Sequence, residues 1–405
     1  MSIWTRLEDV SQPPVYFDYA ATAPMRPEAR RAMLDEMELV GNANSLHSSG
    51  RRARRVVEES RESIAAVLNV QPRDVVFTSG GTEADNLAVK GIYTMRRAQY
   101  PTKRRILTSP IEHHAVLDPV ESLGQAAGAE VRYLFADNVG RVDLDWLSAE
   151  LERDADLVAL VTVMWANNEV GTIQRVAEIA ELCAMYKIPF HCDAVQAVGQ
   201  IPVDASLVDS CALSGHKVGG PIGVGALVLK PGINPVPLMH GGGQERDVRS
   251  GTLDTPAIAG LAAAIVAADA DMNERSPRVR KLRDELVARI IATIPDVTRN
   301  GDPEDSLPGI ANLSFEGCEG DALLLLLDAA GIECSRGSAC TAGVPQPSHV
   351  LLAMGLDPQT ARSSLRFSLG AKSTEADVDR LVQVLPDIAA RARRAGAPRA
   401  GSGKR

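Results

Sequence analysis

Short apolar runs alternate with longer amphipathic stretches along most of the chain. The runs at 105–108, 157–164, 188–192, 208–213 and 222–230 have strand length, and 177–186 carries apolar residues at helical spacing. This alternation predicts an α/β fold around a mostly parallel sheet. The run Asp74-Val-Val-Phe-Thr-Ser-Gly80-Gly81-Thr82 reads as a strand, a glycine turn and then a helix with Leu87, Ala88 and Ile92 on its apolar side. A long amphipathic stretch from Ile258 to Ile294, expected to break at Ser276-Pro277, crosses from a larger domain into a smaller one. Residues 310–385 then read as strand, helix, strand and helix. The predicted organisation is a large domain over 26–265 and a small domain over 266–390 joined by 1–25. The segment 391–405, with six basic residues and no acid, is expected to be disordered. No internal repeat is visible.

Composition narrows the function classes. At 405 residues and 45% hydrophobic content the chain can bury two cores, while a net charge of -9 argues against direct nucleic-acid or membrane binding. No apolar run approaches a membrane span. The basic cluster Arg51, Arg52, Arg54 and Arg55 precedes Glu58, Glu59 and Glu62 on one helix and reads as a solvated, ion-paired face. Six cysteines are scattered without a Cys-x-x-Cys pair or a signal-peptide pattern, so a reducing cytoplasm is expected. Cys183, Cys192 and Cys211 fall in helical or strand patterns, and Cys334 in a strand over 331–335; all four read as packed. Cys340 differs, because it lies among small residues with glycines on both sides, the composition of an exposed loop.

The candidate chemistry centres on Ser214-Gly-His-Lys217, set in a tight loop between two strands, where a surface lysine seldom sits. A desolvated lysine can hold an aldehyde cofactor as a Schiff base, and Asp193, at the end of an earlier strand, can pair with a protonated pyridine nitrogen. Together they point to pyridoxal phosphate. The Gly80-Gly81 turn into a helix N-terminus offers backbone amides to a phosphate, with Thr82 adding a hydroxyl; it has neither the dinucleotide nor the P-loop spacing. Arg366, between Leu365 and Phe367 in an alternating run, has the planar fork that grips a carboxylate. On pattern alone each has a plainer reading: a surface charge for Lys217, a helix cap for Gly-Gly-Thr, a salt bridge for Arg366, an idle thiol for Cys340.

Ordered motifs over most of the chain tip the balance. Tyr16-Phe-Asp-Tyr-Ala-Ala-Thr-Ala-Pro24, Thr78-Ser-Gly-Gly-Thr-Glu-Ala-Asp-Asn86, Glu112-His-His-Ala-Val-Leu117, Asn167-Asn-Glu-Val-Gly171, His191-Cys-Asp-Ala-Val-Gln196, Ser214-Gly-His-Lys217, His240-Gly-Gly-Gly243, Arg249-Ser-Gly-Thr252, Gly337-Ser-Ala-Cys340 and Ser364-Leu-Arg-Phe-Ser-Leu-Gly370 resemble the cysteine desulfurases of the NifS/IscS type, in the class V aminotransferase group. The resemblance implies a fold-type I architecture, with a mostly parallel seven-stranded sheet flanked by helices and a smaller α/β C-terminal domain. It implies pyridoxal 5'-phosphate as cofactor and L-cysteine as substrate, converted to L-alanine as the sulfur passes to Cys340 as a persulfide. By the same resemblance Lys217 binds the cofactor and moves protons, Asp193 holds the pyridine nitrogen, Gln196 the ring hydroxyl, and His113 stacks on the ring. Gly81, Thr82, Ser214 and His216 hold the phosphate. Thr252 reaches the phosphate of a neighbouring subunit, which implies a homodimer, and Arg366 with Asn168 binds the substrate carboxylate. No resident metal is implied, although Cys340 could transiently ligate an iron–sulfur cluster. The loop around Cys340 is similar to the longer loop of the NifS/IscS branch. The tail lacks that branch's scaffold-docking segment, which leaves the sulfur acceptor open between an iron–sulfur scaffold protein and a tRNA-thiolating enzyme. A selenocysteine lyase or cysteine sulfinate desulfinase would share the same cofactor motifs, and a non-enzymatic persulfide scaffold is the reading from another class.

Overall fold

The computed structural model describes residues 13–337 and 346–396. The first half runs β1 (Val15–Tyr16), α1 (Pro27–Met37), α2 (Ser48–Val67), β2 (Val75–Thr78), α3 (Gly81–Gln99), β3 (Arg105–Thr108), α4 (His114–Ala127), β4 (Glu130–Tyr133), α5 (Leu144–Asp154), β5 (Val158–Thr162), α6 (Val176–Met185) and β6 (Phe190–Asp193). It continues through β7 (Ser210–Ser214), α7 (Gly215–Val218), β8 (Gly225–Leu229), α8 (Thr255–Ala270), α9 (Met272–Thr293), β9 (Val297–Asn300), β10 (Ile310–Phe315), α10 (Gly320–Ala329), β11 (Ile332–Glu333), α11 (His349–Ala353), α12 (Pro358–Arg362), β12 (Ser364–Ser368) and α13 (Glu375–Gly396).

Seven strands form one sheet in the order β2-β8-β7-β6-β5-β3-β4, the number the resemblance implies. β7, β6, β5, β3 and β4 pair in parallel, and β8 runs antiparallel to both neighbours. Both faces are covered, which is why these strands read as continuous apolar runs. Phe77, Leu107, Val161, Phe190, Cys192, Cys211 and Leu213 pack into one cluster, and Val76, Ile106, Leu160, Ala212 and Leu227 into another on the opposite face, against α3 and α4. The parallel strands end at one edge of the sheet, where crevices open in α/β folds.

A separate cluster gathers Val15 and Phe17 with Leu286, Ile290, Leu313, Phe315, Phe367 and the α13 residues Val378, Leu381, Leu385, Ile388 and Ala392. It packs around the three-stranded antiparallel sheet β12-β10-β9 and the short parallel pair β1-β11. The N-terminal strand thereby joins the C-terminal elements, and its next residues reach back toward the large sheet.

Three local expectations change. The break in the long helical stretch falls at Asp271 rather than at Ser276-Pro277; α8 and α9 meet there at 73°. Asp271 draws the chain aside by accepting from Arg26 Nη1 at 2.9 Å and Arg275 Nε at 2.8 Å, while Arg275 Nη2 caps the Ala268 carbonyl of α8 at 2.9 Å. Pro277 lies inside α9. The basic tail is helical as far as Gly396, because the buried stripe of α13 continues through Ala392 and carries Arg391, Arg393 and Arg394 with it; 397–405 lie outside the described residues. Lys217 sits on the one-turn helix α7, closed by Gly219 at φ 84°, where a tight loop between two strands was expected.

The basic face of α2 is only partly as expected. Arg55 meets Glu59 at 3.6 Å, but Glu58 pairs with Arg61, which is buried and makes a two-pronged bond to Glu245 at 2.8 Å on each arm. Glu245 also accepts from the Phe77 amide at 2.8 Å. The pair pins the 240–252 segment to β2. Glu245→Ala should remove the buried carboxylate from Arg61, which keeps Glu58 and the Val75 carbonyl, and leave the Phe77 amide without its acceptor; the cost should be about 3 kcal/mol, read as a lower urea midpoint. An unchanged midpoint would mean that the pair contributes nothing net.

Candidate active site

A cavity of about 630 Å³ opens where the strands of the large sheet end, and ten of the twelve candidate residues line it: Gly81, Thr82, His113, Asn168, Asp193, Gln196, Ser214, His216, Lys217 and Arg366. Thr252 is not among the lining residues. Cys340 lies outside the described residues, although Ser335 and Gly337, on the described side of its segment, line the cavity wall.

The anion cradle forms between β2 and α3. Gly80 takes φ 154°, a backbone that side-chain-bearing residues rarely adopt, and a Cβ on Gly81 would stand 2.7 Å from Val195 Cγ2. Both glycines are therefore required by geometry. They bring the first turn of α3, with its free amides, against the cavity beside Thr82, Ser214 and His216. Behind that turn Glu83 accepts from the Ser79 amide at 2.7 Å and from Arg249 Nε at 2.9 Å. His216 Nδ1 lies 3.2 Å from Thr22 Oγ1, and burial followed by Lys217 pulls its pKa down to about 4.

Lys217, carried on α7, lines the cavity and donates to the carbonyls of Ala20 at 2.7 Å and Ala21 at 2.8 Å. Burial, then the Arg366 guanidinium, pushes its ammonium down to about 8, against the pull of Asp18 and Asp193. Asp193 closes β6 with Oδ1 on the Val195 amide at 2.8 Å; burial first, then Asp85, raises its pKa to about 7. Gln196 Nε2 donates to the Ala20 carbonyl at 2.9 Å. His113 caps α4, its Nδ1 accepting from the Ala115 amide at 3.0 Å, which leaves Nε2 to carry the proton of the neutral ring. Desolvation by the surrounding walls, then Lys217, holds that ring's pKa down at about 4.

On the far side, β12 presents Arg366, 4% exposed, with Nη1 on the Asn168 carbonyl at 2.9 Å and Nη2 on Asp18 Oδ1 at 2.8 Å. Of the cysteines read as packed, Cys183, Cys192 and Cys211 are buried and Cys334 is half-buried, its thiol pushed up by burial to about 12; Cys318 is buried as well.

Residue pattern alone missed several groups. The segment from Asp18 to Thr22 touches Arg366, Gln196, Lys217 and His216, a placement that no local periodicity signals. Asp85 lines the cavity, with Oδ1 3.2 Å from His191 Nε2, whose Nδ1 lies 2.9 Å from Ser210 Oγ. Glu112 is fully buried, with Oε1 on the Met164 amide at 2.9 Å. The position of Asp85, one helical turn past Gly81 on the face turned to the sheet, was the available clue.

An aldehyde cofactor with a phosphate and a basic ring nitrogen fits this donor set. The glycine cradle, the half-desolvated amine and the buried carboxyl face one volume, each where such a group needs it. Comparison with known proteins agrees. The aminotransferase class-V family model matches residues 15–381, and the chain belongs to that family. Among its relatives, an IscS-like cysteine desulfurase of Mycobacterium tuberculosis is 55% identical over 392 residues, covering 96% of this chain and 100% of the relative. A solved NifS-like protein superposes with TM-score 0.85 at 36% identity, over 93% of this chain and 99% of that one. The structure of SspA in complex with cysteine superposes at TM-score 0.76 and 33% identity, over 89% and 99%.

Proposed function

We infer that this chain is a pyridoxal phosphate-dependent cysteine desulfurase, which takes L-cysteine to L-alanine and leaves the sulfur on Cys340 as a persulfide. The observation that carries the reading is the convergence of Lys217, Asp193 and Arg366 on one cavity in a chain 55% identical to an IscS-like cysteine desulfurase. The cofactor, when bound, supplies a carbonyl that captures amines and a ring that withdraws electrons from the substrate carbon.

The protein's own groups set up the rest. Gly81, Thr82, Ser214 and His216 would hold the phosphate, and Thr252, from its turn outside the cavity, would complete the phosphate site of a second copy. Asp193, buried and short of a counter-charge, would give a protonated ring nitrogen its partner. Gln196 would orient the ring oxygen and His113 cover the ring face. Lys217, with its pKa near 8, can hold or release a proton at Nζ near neutral pH. Arg366 and Asn168 would fix the substrate carboxylate. The Cys340 thiolate would then attack the substrate sulfur. As the S–S bond forms, the carbon–sulfur bond breaks, its electron pair passes to carbon, and protonation there gives the methyl group of alanine.

The finer arrangement completes the proposal. A division near residue 265 into a cofactor domain and a small domain is supported by two main clusters of buried residues, one reaching Ala268 and the other taking up the chain from Val279. A homodimer is supported by Thr252 standing off its own cavity. A scaffold protein or tRNA-thiolating enzyme would take the persulfide sulfur. Free cysteines throughout the described residues support a reducing cytoplasm, and among those residues no single helix is long and apolar enough to cross a membrane.

The test is a side-by-side assay of L-cysteine, L-selenocysteine and L-cysteine sulfinate, measuring alanine together with the released sulfur, selenium or sulfite. L-cysteine should give the highest kcat/KM, and mass spectrometry should find one extra sulfur on Cys340. Faster turnover of cysteine sulfinate would replace this reading with a desulfinase, and no turnover of any of the three would replace it with a persulfide scaffold.

A further inference from the structure

Arg366 does not stand alone at the cavity. Asp18 Oδ1 accepts from its Nη2 at 2.8 Å, while its Nη1 is committed to a main-chain carbonyl. Asp18 is no swinging surface partner, because its backbone bridges to Ser368 on the strand that carries Arg366. The Tyr16 hydroxyl, moreover, donates to the Asp18 carbonyl at 3.1 Å and to the Thr22 carbonyl at 2.8 Å, stitching the turn closed. Both members of the ion pair are thus fixed from the same β12 edge.

Resting on the reading of Arg366 as the carboxylate site, we propose that Asp18 is a specificity-determining residue: the resident counter-ion of Arg366, which makes its grip on the substrate and product carboxylate weak and exchangeable. A buried guanidinium without a counter-ion is strongly disfavoured, so Asp18 holds Arg366 in place between turnovers. An incoming carboxylate must share the same guanidinium with Asp18, and like charges that close in a partly desolvated site repel. Binding is therefore looser than the fork alone would give. That looseness lets L-alanine leave after each sulfur transfer instead of blocking the site.

The experiment is calorimetric binding of L-alanine, and of L-alaninamide, which lacks the carboxylate, to the cofactor-loaded enzyme and its variants. Asp18→Asn keeps the shape and removes the charge; it should tighten L-alanine by roughly tenfold, about 1.4 kcal/mol, and leave L-alaninamide unchanged. Asp18→Glu should bind L-alanine as the unaltered enzyme does. A merely structural role would only weaken binding, so tightening separates the two. Unchanged or weaker L-alanine binding by Asp18→Asn, with Arg366→Ala abolishing the preference for L-alanine over its amide, overturns the counter-ion role and leaves Arg366 as the carboxylate site. If Arg366→Ala keeps the preference, the assignment of Arg366 falls, and this proposal with it.

Discussion

Lys217→Ala is expected to fold, to bind the cofactor only noncovalently and to release no measurable alanine from L-cysteine. Burial and Arg366 leave the Lys217 amine with a pKa near 8, so a substantial fraction is neutral under ordinary assay conditions, where an exposed lysine would be almost wholly charged. The sign gives a second readout. In cofactor-free protein, amine-directed labelling of Lys217 should rise as pH passes through about 8, well before the bulk of the lysines respond. Proton transfer by a positioned group is worth roughly 10²–10⁴ in rate, and the loss of the covalent attachment adds to it, so the activity should fall below detection. The fold should survive, because Lys217 bonds only to the carbonyls of Ala20 and Ala21, which water can satisfy in its place. Borohydride reduction of the loaded enzyme followed by peptide mapping locates the attachment; a modified lysine elsewhere would sink the assignment.

Most of the large sheet was legible because its strands are buried on both faces and flanked by turn residues. The glycine cradle was legible because Gly-Gly-Thr between a strand pattern and a helix pattern is a local turn signal, and the demand on Gly80 is the backbone's own φ of 154°; the contact with Val195 that requires Gly81 comes from far along the chain and was not legible. The break between α8 and α9 was misplaced because a proline is a local signal, whereas the bend at Asp271 is fixed by Arg26, remote in sequence. The helical start of the basic tail was missed for a related reason: composition argued for disorder, but the stripe from Val378 to Ala392 has a core to pack against. The contacts of Asp18 with Arg366 and of Arg61 with Glu245 join residues 348 and 184 positions apart, beyond the reach of any periodicity. Ordered motifs could place Asp18 in a meaningful segment without saying what it touches.

Cys340→Ser should separate cofactor chemistry from sulfur transfer. Lys217, Asp193 and Arg366 line the cavity irrespective of the side chain at 340, so the variant should load cofactor normally and still show the spectral change that follows L-cysteine binding. It should form no protein persulfide, and alanine release should fall by several orders of magnitude, because a hydroxyl is a far poorer nucleophile toward sulfur than a thiolate. No other described cysteine is placed to substitute. Cys183, Cys192 and Cys211 are buried around the large sheet with thiol pKa values driven up by burial, and Cys334, nearest in sequence, is raised to about 12. Single-turnover measurements are the appropriate check, with alanine quantified against bound cofactor and persulfide read by mass spectrometry. Alanine production near that of the unaltered enzyme would show that another group, or the solvent, accepts the sulfur. Loss of the cysteine-induced spectral change would place Cys340 in substrate binding instead of sulfur transfer.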